Sequence, residues 1–198
     1  MWKSKKSYLL KEKMRLGQQS YMPKAKSVIR LLYSGPEAVR MIERRLLLVT
    51  VGGTFDVLHK GHWFLLEEAF KVAEKVLIGL TTDEFAEALH KPHFVDRYEK
   101  RLSDIENFLK ERKLTKRAEI LPLRDPYGIT IESTEIEGIV VSEETEPRAE
   151  EINRLRAAKH LKPLLIFCIK MILAEDGTPI SSTRIRRQEV DRYGKLIG

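Results

Sequence analysis

Two imidazoles three residues apart, His59 and His62, stand in the stretch VGGTFDVLHKGHWFLLEEAF, residues 51 to 70. They follow an apolar run, Leu46 to Val51, that ends at Gly52 and Gly53. Glycines there admit backbone angles closed to other residues and let a ligand approach the main chain. Alone, the pair reads as an ordinary strand-to-loop turn; His59, Gly61 and His62 change that reading. At a helix start, side chains three apart share one face, beside backbone N–H groups that have no partner within the helix and the positive end of the dipole. Imidazole donors held in that place would bind and polarise phosphoryl oxygens. Two purely structural histidines in so short a span would each need a satisfying partner.

A second stretch, ISSTRIRR at 180 to 187, puts Ser181, Ser182 and Thr183 at another helix start, with Arg184, Arg186 and Arg187 close behind. One hydroxyl is enough for a cap. The surplus, together with the guanidiniums, suits a polyphosphate. One segment follows the first strand of the main pattern and the other the last. They can therefore hold a single ligand only if those two strands lie close together in the sheet.

The elements that must position these residues alternate between strand-like runs and helical periodicity, the pattern of βαβ units and a parallel sheet. Strands are expected at 46–51, 75–80, 118–121, 138–141 and 164–171. The helices between them are expected at 61–74, 83–89 with Asp83 as N-cap, 96–113, 147–160 and, closing the chain, 182–192. In the helix at 96–113, Leu102, Ile105, Phe108 and Leu109 face the core. Short right-handed crossovers then give an α/β fold, a Rossmann-like open parallel sheet with helices on both faces, in a single domain over 46–198. Ligands in such sheets bind beyond the carboxyl ends of the strands, where the first motif lies.

The chain of 198 residues carries a net charge of +7, unevenly spread. Residues 1–45 hold 12 Lys and Arg against 3 Asp and Glu, whereas residues 46–198 are close to balanced at −2. The first 45 residues thus form a basic extension. It reads as a solvated, poorly ordered tail, with targeting or binding roles as the alternatives. Met41 also allows a start close to the first strand. No apolar run approaches the roughly 20 residues that cross a bilayer. The lone Cys168, within LLIFCI, reads as a small buried hydrophobe, and a reducing, cytoplasmic setting is expected. The histidines complete no zinc spacing.

GTFDVLHKGH resembles the HxGH signature of the nucleotidyltransferase superfamily, and ISSTRIR resembles its second, phosphate-binding signature. Across 46–198 the chain is similar to the archaeal and eukaryotic type of phosphopantetheine adenylyltransferases, in LTTDEF, DPYG, IVVSEET, INRLR and AEDGTPISSTRIR. The resemblance implies transfer of the adenylyl group of ATP to 4′-phosphopantetheine, giving dephospho-coenzyme A and pyrophosphate. It implies that Thr54, His62 and Lys91 serve the reacting centre. It also implies that Gly53, His59, Gly61, Ser181, Ser182, Thr183, Arg184 and Arg186 complete the ATP site. Mg²⁺ is expected to arrive on the ATP phosphates without a protein cage, and no nucleic acid or membrane partner is expected. Oligomeric state is not legible. The alternative is another HxGH enzyme, a nicotinamide-mononucleotide adenylyltransferase or a cytidylyltransferase, because both motifs report the nucleotide and not the acceptor. Two departures from the family pattern stand out: Glu143 in SEET, where a proline is usual, and Ile129 after DPYG. Glu143 is expected to face solvent. No GxxxxGK[ST] occurs, so the kinase activity of the eukaryotic bifunctional protein is not expected.

Overall fold

The computed structural model describes residues 29–31, 45–90 and 92–198. Strand β1 (Ile29–Leu31) precedes β2 (Leu46–Gly53), helix α1 (Lys60–Val72), β3 (Ala73–Thr81) and the short α2 (Asp83–Ala88). Helix α3 (Tyr98–Glu111), β4 (Ala118–Leu123) and β5 (Gly138–Ser142) follow. Helix α4 (Glu146–Ala158), β6 (Leu165–Ile169) and α5 (Ser182–Arg186) complete the chain.

The six strands lie in the order β1-β6-β5-β2-β3-β4. All neighbours are parallel except β1, which runs antiparallel to β6 with Ile29 opposite Ile169. Sequence places β1 in the basic extension, yet these three residues are built onto the sheet. The rest of that stretch, except Arg45, lies outside the described residues. Strands β3 and β4 are added on one side of β2, and β5 and β6 on the other. The chain therefore reverses direction at β2, and the crevice beyond the carboxyl ends of β2 and β5 is the switch point of the sheet.

Alternation along the strands divides the core between the two faces. Val49, Val51, Val76, Ile78, Leu80, Val140 and Phe167 pack with Leu66 and Phe70 of α1 and Ile105 and Phe108 of α3. On the other face Leu77, Ile139, Val141, Ile166 and Cys168 pack with Ala149 and Ile152 of α4. Both faces of β6 are covered, and all five of its residues are buried, as expected for an inner strand of a parallel sheet. Gly138 is fixed by close approach, since a Cβ there would sit 3.0 Å from the Phe167 ring and 3.1 Å from Leu165 O.

Several boundaries differ from those read in sequence, and in three helices the cause is visible. Thr82, not Asp83, caps α2, its hydroxyl accepting from Phe85 N at 3.3 Å. Asp83 instead accepts from Arg101. Helix α3 begins at Tyr98 because the N–H of Asp96 is drawn to the carboxylate of Asp56, and Lys113, at φ 58°, ends it early. The closing helix stops at Arg186, six residues short, because Gln188 adopts φ 58° and Val190 turns back to bridge Leu196.

Candidate active site

The loop leaving β2 carries the first motif in strained backbone. Phe55 and Val57 have φ of 50° and 44°. The left-handed region costs a non-glycine residue on the order of 1–3 kcal/mol, and a β-branched residue such as Val57 is an outlier there. Packing and one buried cation hold the loop. Phe55 is buried against the core, and Gly53 leaves room for its ring, which a Cβ would approach to 3.2 Å. Arg101, 0% exposed, donates to Thr54 O at 2.9 Å, Thr81 O at 2.8 Å and Asp96 O at 2.7 Å, and pairs with Asp83 at 2.8 Å. A single guanidinium thus ties the ends of β2 and β3 to the start of α3.

His59 is the N-cap of α1, with Nδ1 accepting from Gly61 N at 3.1 Å. An Nδ1 that accepts carries no proton, so Nε2 is the donor of that ring. The cap explains the glycine of the motif: a Cβ at Gly61 would meet the His59 ring at 3.0 Å. One turn on, His62 stacks on His59 with centroids 3.9 Å apart and planes 28° apart, and Phe55 lies 5.3 Å from the His62 ring. The two imidazoles do share one face at the helix start, as their spacing requires.

The second motif meets the first at Asp56. Ser182 Oγ donates to Asp56 O at 2.5 Å, and Arg186 donates to the Asp56 carboxylate at 2.8 and 3.2 Å and to Asp96 at 2.9 Å. Asp56 Oδ1 also accepts from Asp96 N at 3.0 Å. Burial by itself raises the pKa of this carboxyl. The Arg186 and Asp96 hydrogen bonds, with the charges of Arg186 and His93, outweigh burial and hold it below the usual aspartate range. Arg186 is correspondingly pushed up, chiefly by its hydrogen bond to Asp56. Strand β5 lies between β2 and β6, yet the loops beyond β2 and β6 touch, so the condition for one shared ligand is met.

The hydroxyls at the start of α5 are less of a surplus than the sequence suggests. Ser181 is the N-cap, accepting from Arg184 N at 3.3 Å; Ser182 is spent on Asp56 O; Thr183 Oγ1 lies 3.0 Å from His93 Nδ1. Arg184 is committed elsewhere, to Asp176, Thr178 and Glu189, and so straps α5 to the turn before it. Lys91 lies outside the described residues. Tyr127 packs against the second core cluster and donates to Glu151 at 2.7 Å. Glu143 is exposed, as expected, and accepts from Met171 N at 3.3 Å.

Three positioning residues escape a sequence reading: Asp56 beyond its role in a turn, His93, and Arg101. Only Arg101 leaves a signal, because it falls one turn before Ile105 on the apolar face of α3, where a lone arginine needs a reason. The partners of Asp56 at 93, 96 and 186 are invisible along the chain. Among the described residues no group of three or more His, Cys, Asp or Glu is arranged to hold a metal ion.

A doubly wound sheet with histidines at the switch point and a hydroxyl-rich turn joined to them describes a nucleotidyltransferase. The chain belongs to the cytidylyltransferase-like family, whose model matches residues 50–188. Within it, the chain is 47% identical over 156 residues to phosphopantetheine adenylyltransferase of Methanothermobacter thermautotrophicus, covering 79% of this chain and 93% of that protein. It is 42% identical to the Pyrococcus horikoshii protein of the same name, over 76% of this chain and 95% of that one. Among solved structures, an Archaeoglobus fulgidus protein of unknown function aligns with TM-score 0.56 and 31% identity, over 63% of this chain and 98% of that one. Tyrosyl-tRNA synthetase from the same organism aligns with TM-score 0.57 at 13% identity, over 89% of this chain and 69% of that one, a likeness of fold alone.

Proposed function

We propose that the protein transfers the adenylyl group of ATP to 4′-phosphopantetheine, forming dephospho-coenzyme A and pyrophosphate in coenzyme A synthesis. The observation that carries the chemistry is the junction at Asp56, where the loop holding His59 and His62 and the start of α5 become one surface at the switch point. Similarity to named adenylyltransferases over most of the chain supports the acceptor.

The acceptor is a phosphate monoester, ionised at neutral pH, so no side chain has to remove a proton before it attacks the α-phosphorus. Attack and departure of pyrophosphate then form a single in-line displacement without a covalent enzyme intermediate. The contribution of the protein is orientation and stabilisation of charge on the phosphoryl oxygens. His62, together with Thr54, serves the α-phosphate. His59 presents Nε2–H toward the triphosphate because its Nδ1 is held by Gly61. Gly53 and Gly61 allow the chain to come close, and Lys91 supplies charge to the transferring group. Ser181 and Thr183 serve the β- and γ-phosphates. Ser182 and Arg186 act through Asp56, keeping α5 against the loop. Mg²⁺ enters as part of the MgATP substrate, bound to phosphate oxygens.

Among the described residues no helix is long and apolar enough to cross a membrane. The buried thiol of Cys168 supports a cytoplasmic setting, and neither nucleic acid nor membrane has a part in the reaction. The decisive measurement is pyrophosphate release from ATP with 4′-phosphopantetheine, nicotinamide mononucleotide or no acceptor. Turnover is expected with the first alone; turnover only with nicotinamide mononucleotide would replace this reading with its closest rival.

A further inference from the structure

We propose that His93 is a positioning residue for the triphosphate, setting the hydroxyl of Thr183 and fastening its own segment, residues 93–96, to the HxGH loop. This rests on the adenylyl-transfer reading of the site. The His93 side chain is 6% exposed and bridges two motifs far apart in sequence: Nδ1 lies 3.0 Å from Thr183 Oγ1, and Nε2 lies 3.4 Å from Asp56 Oδ2. Three residues on, Asp96 N also binds Asp56, so the segment following Lys91 is pinned to that carboxylate at two points.

Proton counting gives the bridge its consequence. A hydroxyl has one proton to donate. That of Ser182 goes to Asp56 O, so this residue can offer a phosphate no donor. Ser181 accepts from Arg184 N and keeps its proton for an outside acceptor. Thr183 is the variable member: where His93 Nδ1 donates to its oxygen the Thr183 proton is left for a phosphate oxygen, and where Nδ1 accepts it is not. The choice depends on a ring held by its other nitrogen against the buried carboxylate of Asp56. His93 reaches the nucleotide only through Thr183, and it does not touch the reacting atoms.

Side chains that replace one nitrogen at a time test this. An asparagine amide can take the place of Nδ1 and reach Thr183 but falls short of Asp56. Glutamine reaches toward the position of Nε2. His93→Ala is expected to raise KM for ATP about tenfold, the scale of one charge-assisted hydrogen bond, with kcat and KM for phosphopantetheine changed less than about threefold. His93→Asn should restore most of the ATP affinity, and His93→Gln should not. Equal rescue by both amides would reduce His93 to a packing residue and overturn the proposal, as would an unchanged KM for ATP in His93→Ala. A melting curve accompanies each variant. If the alanine variant fails to fold, the contrast between asparagine and glutamine decides. Should the wild-type protein release no pyrophosphate with phosphopantetheine, the acceptor reading fails by itself. Calorimetric titration of the same variants with ATP alone must still rank asparagine above glutamine and alanine.

Discussion

The HxGH residues divide their labour within one turn of helix. His59 spends Nδ1 on the Gly61 N–H and so fixes its own tautomer and orientation; stacking at 3.9 Å then sets the position of His62. The ring of His62 is thereby ordered before any ligand arrives, which is the condition for charge stabilisation without reorganisation. His62→Ala is expected to lower kcat by about 10²-fold, the scale of one lost preorganised donor, while the melting temperature stays within a degree or two of wild type. Steady-state kinetics and a thermal melt check this, and near-normal turnover would remove His62 from the reaction. The residues that hold this geometry were harder to foresee. Spacing marked the two histidines and the glycine between them. The burial of Asp56 and its three carboxylate partners became visible only where 56, 93, 96 and 186 converge.

Among the elements, two cations do most of the tying. Arg101 is fully buried on α3 and satisfies carbonyls at the ends of β2 and β3 and at the start of its own helix. Arg101→Leu leaves those carbonyls buried without a donor and Asp83 without its cation, so a stability loss of about 3–5 kcal/mol is expected in urea unfolding. Loss of turnover should accompany it, because the strained Phe55–Val57 loop loses its anchor. Arg184 does the same for α5 by pairing with Asp176. The carboxyl of Asp176 is held down to about 2, first by the backbone N–H of Thr178, then by the Thr178 hydroxyl and by Arg184. A depressed aspartate pKa contributes stability that is present in full above the ordinary aspartate range and is lost as pH falls toward the depressed value. The stability difference between wild type and Asp176→Asn should therefore be constant from neutral pH to about 5 and shrink between about 4 and 2. A gap that survives at pH 2 would mean that the charge is not what matters there. Sequence periodicity found these elements but overran the ends of α3 and α5. Lys113 and Gln188 stop them by entering the left-handed region, and neither residue type announces that.

At the level of the whole molecule, the sheet reverses at β2 and delivers two distant motifs to one crevice. Of the basic extension, the described strand β1 pairs with the outer edge of β6. Removal of residues 1–40 takes that edge strand away but no described residue of the crevice. The truncated protein is expected to melt at a lower temperature and to keep kcat within about twofold of the full chain, since distant sites are close to independent. A folded but inactive truncation would place part of the active site in the extension. The amino-acid sequence alone determined the alternation of strands and helices, the doubly wound class and the identity of both candidate motifs, because period, turn chemistry and motif spacing are local properties. Tertiary structure alone decided which hydroxyls and guanidiniums are spent on holding the protein together. Arg184, Arg186 and Ser182 have the same residue types in either role, and only partners brought from 56, 96 and 176 through the fold determine which role each takes.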